Sequence, residues 1–117
     1  MDISPTALLL DLAAEAQSMH DPDALRDMLA RGHRAWCAGV ADVQARVERV
    51  AASLSDAELA ERCAMAGAPW TEGMKRSEAV STLAFVTWNA TPAAIAYTEL
   101  ERSVARFGVC LLGEEVL

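Results

Sequence analysis

The run PDALRDMLARGHRAWCAGVADVQARVERVAASL, residues 22–54, decides the fold class. Its positions Leu25, Leu29, Gly32, Trp36, Val40, Val43, Val47, Val50 and Leu54 recur at intervals of four or three, the repeat that puts side chains on one face of an α-helix. From Trp36 onward the interval alternates strictly, as in helices that interlock with a neighbour, and Asp42, Gln44, Arg46, Glu48 and Arg49 fall on the polar sides. Roughly 30 residues of helix at ~1.5 Å each span about 45 Å, whereas a globule of this chain length has a radius of gyration of about 13 Å. Part of the helix is therefore expected to overhang its own core. An uncovered stripe of Trp36 and valines would be an apolar patch that soluble proteins seldom leave bare. The stripe predicts a homodimer through Trp36, Val40, Val43, Val47, Val50 and Leu54, although a bundle seam within one chain uses the same spacing. Gly32 and Gly39 each cost about 1 kcal/mol in a helix interior; either marks a break or permits close approach of another helix.

Punctuation on both sides of this run extends the helical reading. Ser4-Pro5, Asp21-Pro22 and Thr91-Pro92 each pair an N-capping side chain with proline at the first helical position. The first of these opens a helix through about Gln17, with Leu8, Leu9 and Leu12 on one face. Ser55-Asp-Ala-Glu58 has the form of a capping box, and Gly67 stops the short helix that it starts. Residues 68–73 read as the main loop, followed by a fourth helix from about Met74 or Ser77 to Trp88. The fifth runs from Pro92 to about Phe107, with Ala96, Leu100, Val104 and Phe107 on one stripe and Gly108 at its end. The fold class is all-α: a small bundle of about five helices in one domain over residues 1–117, dimeric, with an apolar tail at 109–117 that must dock on something.

At 117 residues with 53% hydrophobic and 23% charged side chains, the chain can bury enough apolar surface to fold around a single core, which excludes disorder as its main state. A net charge of −7 repels phosphate backbones, so direct nucleic-acid binding is not expected. The N-terminus has no basic region ahead of Ala7-Leu-Leu-Leu10, and Asp11 interrupts that run well short of a signal peptide or membrane span. Cys37, Cys63 and Cys110 are an odd set without paired spacing, which fits reduced thiols. These features predict a cytoplasmic protein without membrane contact.

Catalytic signatures are absent from the sequence: it holds no Gly-rich phosphate loop, no Cys-x-x-Cys and no His-Glu-x-x-His. His33 and Cys37, four apart, form half of a possible zinc site, but the remaining donors His20, Cys63 and Cys110 have no tight partner spacing. Cys37 as a nucleophile would rely on His33 and Arg34 beside it in sequence. The carboxylate pairs read as solvated charge, and Arg26, Arg31, Arg34 and Arg49 are available to hold an anion if they converge. No residue is assigned to catalysis, to a cofactor or to a metal. Trp70, in a loop between Pro69 and Gly73, is a candidate anchor for a protein partner, its alternative being a ring folded back as a lid; Trp88, Ile95, Leu111 and Leu112 complete the candidate partner surface.

The opening Met-Asp-Ile-Ser-Pro-Thr-Ala-Leu-Leu-Leu, the segment Arg31-Gly-His-Arg-Ala-Trp-Cys37 and the overall size resemble the QslA-type quorum-sensing antiactivators of pseudomonads. The resemblance implies a protein that binds the ligand-binding domain of a LuxR-type, LasR-like activator, prevents its dimerisation and so keeps it off DNA. Under that reading the second helix makes the self-dimer, while the fifth helix and tail, with Trp70 or Trp88, meet the activator. Two other classes remain open: an immunity or antitoxin-like inhibitor acting through its acidic face, and a small helical enzyme using arginines to hold an anionic metabolite.

Overall fold

The structure, a computed structural model, describes residues 4–106. Every regular element among them is a helix: α1 Pro5–Ala16, α2 Pro22–Ala51, α3 Asp56–Met65, α4 Arg76–Asn89 and α5 Pro92–Ala105. None is long and apolar enough to cross a membrane. Phe107, Gly108 and the apolar tail at 109–117 lie outside the described residues.

The helix starts follow from local chemistry. Ala7 N–H donates to Ser4 Oγ at 3.1 Å, Asp23 N–H to Asp21 Oδ1 at 3.0 Å and Ala94 N–H to Thr91 Oγ1 at 3.3 Å, each satisfying an amide that the first helical turn leaves orphaned. At α3 the capping box is reciprocal: Glu58 N–H donates to Ser55 Oγ at 3.1 Å, and Ser55 N–H to Glu58 Oε1 at 2.9 Å. Hydrogen bonding from Ser55, its backbone N–H foremost and its side chain next, holds the Glu58 carboxyl below its usual range. Past α3 the backbone turns through Gly67 at φ +79°, a left-handed conformation that side chains with a Cβ resist.

The chain divides into two compact units, and α2 contributes to both. One unit comprises residues 4–39 with 91–106, that is α1, α2 as far as Gly39, and α5. Here α1 packs along α5, and Leu9, Leu12, Leu25, Leu100 and Val104 lose essentially all their solvent exposure. Gly32 sets the closeness of this packing. A Cβ built there would stand 2.5 Å from Leu100 Cδ2 and 3.6 Å from both Leu9 Cδ2 and Tyr97 Cδ1. Helix α2 runs unbroken through Gly32 and Gly39, so Gly32 serves close approach and marks no break.

The other unit comprises residues 40–90: α2 from Val40, α3 and α4. Ala51, Leu59, Cys63, Ala79 and Val80 form its buried cluster, flanked by Val47, Trp70, Met74 and Leu83. Arg76 ties α4 to the end of α2. Its Nη2 donates to the carbonyls of Ala51 at 2.6 Å and Leu54 at 2.8 Å, and Nη1 pairs with the Asp56 carboxylate. A guanidinium at the negative end of a helix supplies both charge and donors to carbonyls that have no partner inside it.

This division corrects the overhang expected of α2, because the extra length of the helix is taken up by a unit that α3 and α4 complete. Val43 is buried, 6% exposed, and Val47 packs on the cluster of its own unit. Trp36, Val40 and Leu54 are half-buried, leaving Val50, 49% exposed, as the one open residue of the proposed seam. The stripe that motivates a homodimer is therefore partly covered within one chain.

Two substitutions test these contacts by urea unfolding. Gly32→Val should cost about 2 kcal/mol by overpacking against Leu100, and combined with Leu100→Ala it should cost less than the sum of the single changes, since the second removes the atom that the first meets. Arg76→Met should cost about 2 kcal/mol, the range for charge-assisted hydrogen bonds, with Arg76→Lys recovering only part because an ammonium cannot span both carbonyls and Asp56 in the same planar fork.

Candidate functional site

The segment after Gly32 places three chemically distinct side chains on one side of α2: His33, Trp36 and Cys37, at i, i+3 and i+4. Because Gly32 lets α5 come close, Tyr97 reaches the same place from that helix. His33 Nδ1 lies 3.3 Å from the Tyr97 hydroxyl, and His33 Nε2 lies 3.6 Å from Cys37 Sγ. Thiol, imidazole and phenol thus form one hydrogen-bonded line. The His33 and Trp36 rings stack with centroids 6.3 Å apart and planes 13° from parallel, and Trp36 meets Tyr97 at 5.9 Å.

Exposure is graded along the line. Tyr97 is 8% exposed and Trp36 half-buried, whereas His33 and Cys37 face solvent. Burial, reinforced by the charge of Glu101 and by Cys37, pushes the Tyr97 phenol up to about 12, so it stays a neutral hydroxyl at physiological pH. The arrangement can move a proton from a thiol to an imidazole nitrogen whose ring is held from the opposite side.

It does not assemble a metal site: among the described residues no group of three His, Cys, Asp or Glu side chains is placed to hold an ion. Cys63 lies in the other unit, fully buried, its Sγ 3.9 Å from the Ala79 carbonyl oxygen and its thiol pushed up by burial. His20 is exposed between α1 and α2, and Cys110 lies outside the described residues. The arginines proposed to hold an anion are all exposed. Arg26 pairs with Asp23 at 3.7 Å and Arg31 with Asp27 at 3.8 Å, each within α2, where such pairs contribute little. In the second unit an open groove of about 300 Å³ is lined by Gln44, Glu48, Arg76, Ser77 and Ser81 among others. Its guanidinium is engaged with the end of α2, and Gln44 Nε2 donates to Ser81 Oγ at 3.4 Å.

The candidate partner residues among those described differ in exposure. Trp70 is half-buried against the core cluster of its unit and donates Nε1–H to the Met74 carbonyl at 2.8 Å, the lid arrangement rather than a free anchor. Trp88 is only 3% exposed, a correction to its place on a partner surface, since a buried indole offers no area to another protein. Ile95 is 54% exposed. Leu111 and Leu112 lie outside the described residues. Sequence reasoning missed Leu10, Met65 and Phe85 as exposed apolar side chains. It also missed Tyr97, whose signal was its place three residues before Leu100 on the buried side of α5.

No family model, no curated protein and no solved structure matches the chain.

Tyr97 is the chain's one tyrosine, so its ionisation can be read without interference. The tyrosinate absorbance of the folded protein should rise with a midpoint of about 12, falling to about 10 on unfolding. The folded state binds that proton more tightly, so the stabilising contribution is full below about pH 10 and is lost as pH rises through the folded value. Tyr97→Phe should remove this alkaline component from a series of unfolding curves.

Proposed function

We propose that the chain is a protein-binding antiactivator that occupies the ligand-binding domain of a LuxR-type, LasR-like transcriptional activator and blocks its dimerisation and DNA binding. The observation that carries the reading is Ile95. Tyr97, Leu100 and Val104 of α5 are buried, whereas Ile95 on the same helix is 54% exposed. A β-branched aliphatic side chain on a rigid helix loses little rotamer freedom on binding, which suits it as an anchor in an apolar pocket. Leu10, 45% exposed on α1, adds apolar area to the same unit. The sequence resemblance over residues 1–10 and 31–37 supplies the class of partner. A dimerisation surface is itself apolar, and a protein that covers it in the monomer shifts the activator's population in proportion to its preference for that form. The net charge of −7 favours encounter with a basic partner and disfavours DNA as a direct target.

Mixed in equal amounts with the activator's purified ligand-binding domain, the protein should elute in size exclusion as a complex containing the activator as a monomer. Ile95→Asp should weaken that complex by about thirtyfold or more, the effect of losing a central anchor. Persistence of free activator dimer in the presence of excess protein would dismiss the reading.

A further inference from the structure

The Cys37–His33–Tyr97 line has no part in that reading, yet it combines a nucleophile, a base and a group that orients the base. We propose that Cys37 is a reactive thiol that exchanges with low-molecular-weight disulfides, with His33 as its proton acceptor and Tyr97 as the positioning residue for the imidazole. Three features of the structure carry this. Cys37 is exposed, so a small disulfide can reach its sulfur, whereas Cys63 is fully buried. His33 Nε2 lies within hydrogen-bonding reach of Sγ, at 3.6 Å. The other imidazole nitrogen faces the Tyr97 hydroxyl at 3.3 Å, and Trp36 stacks on the ring at 6.3 Å, so the imidazole is held at an edge and on a face.

The phenol is the group that makes the acceptor available. With Nδ1–H donating to the Tyr97 oxygen, Nε2 keeps its lone pair and can take the thiol proton; when the ring becomes imidazolium, Nδ1–H still donates to the same oxygen. Because Tyr97 stays neutral up to about 12, it steers the ring without ionising in the process.

The step balances as follows. Cys37 S–H passes its proton to His33 Nε2, and the sulfur's electron pair attacks one sulfur of R–S–S–R. The disulfide bond breaks with its pair on the departing R–S⁻, which takes the proton back from the imidazolium. The products are a mixed disulfide on Cys37 and R–SH: Cys37 is oxidised, the departing sulfur is reduced, and no further reagent is consumed.

The test uses the full chain and the uncharged probe 4,4′-dithiodipyridine at neutral pH, with the modified residue identified by peptide mass spectrometry. Cys37 in the folded protein should react about tenfold or more faster than in the urea-unfolded chain, the low end for assistance by a positioned base. His33→Gln, at an exposed position, should abolish that advantage, and Tyr97→Phe should lower it with the fold retained by circular dichroism. Cys37→Ser should remove the fast phase. Oxidised glutathione should leave its mixed disulfide on the same residue. A folded rate equal to the unfolded one, a wild-type rate in His33→Gln, or modification at another cysteine would overturn the assignment. None of these readouts involves the activator, so failure here and failure of the antiactivator reading are separable.

Discussion

The packing of the first unit turns on the missing side chain at Gly32. A methyl group there would fall well inside van der Waals contact of Leu100, which is itself fully buried and has little room to move. Because α2 is bare at that point, Leu100, Leu9 and Tyr97 all reach its backbone. The same approach brings a phenol from residue 97 to an imidazole at residue 33. Core packing and the thiol–imidazole–phenol line thus share one origin, and it is a position where helix propensity alone would favour almost any other residue.

The second organising feature is the length of α2. A 30-residue helix is longer than a core of this size can cover. The chain answers by building a separate unit on the later part of α2, using α3, α4 and the intervening loop. Arg76 secures the junction at the end of α2 by giving the carbonyls of Ala51 and Leu54 charged donors. Trp70 closes the loop over the same cluster and satisfies its indole N–H on Met74. An apolar stripe that looks like a seam for a second copy is thereby largely consumed within one chain.

Two of the exposed features differ in chemistry. Ile95 offers apolar area on a rigid helix, which suits recognition of another protein's surface. Cys37 offers a soft nucleophile beside a base, which suits a small electrophile. Both lie on the unit that Gly32 closes, on α5 and α2 respectively.

Local chemistry is legible in the chain without its fold. The capping residues Ser4, Asp21, Ser55 with Glu58, and Thr91 announce four of the five helix starts because a cap is a contact between residues two or three apart. Position 67 reads as a stop because a left-handed turn is a property of one residue. The i, i+4 relation of His33 and Cys37 is equally a matter of helix geometry. What covers the stripe of α2, which tryptophans face water and which hydroxyl meets His33 all depend on residues tens of positions away. Trp70 in its loop and Trp88 near a helix end are both simply large apolar side chains in the sequence, and packing alone turns one into a half-buried lid and the other into a buried ring. Tyr97 is separated from His33 by 64 positions, so no local pattern could join them. Periodicity says that a side chain has a buried face to fill, and only the tertiary arrangement decides what fills it.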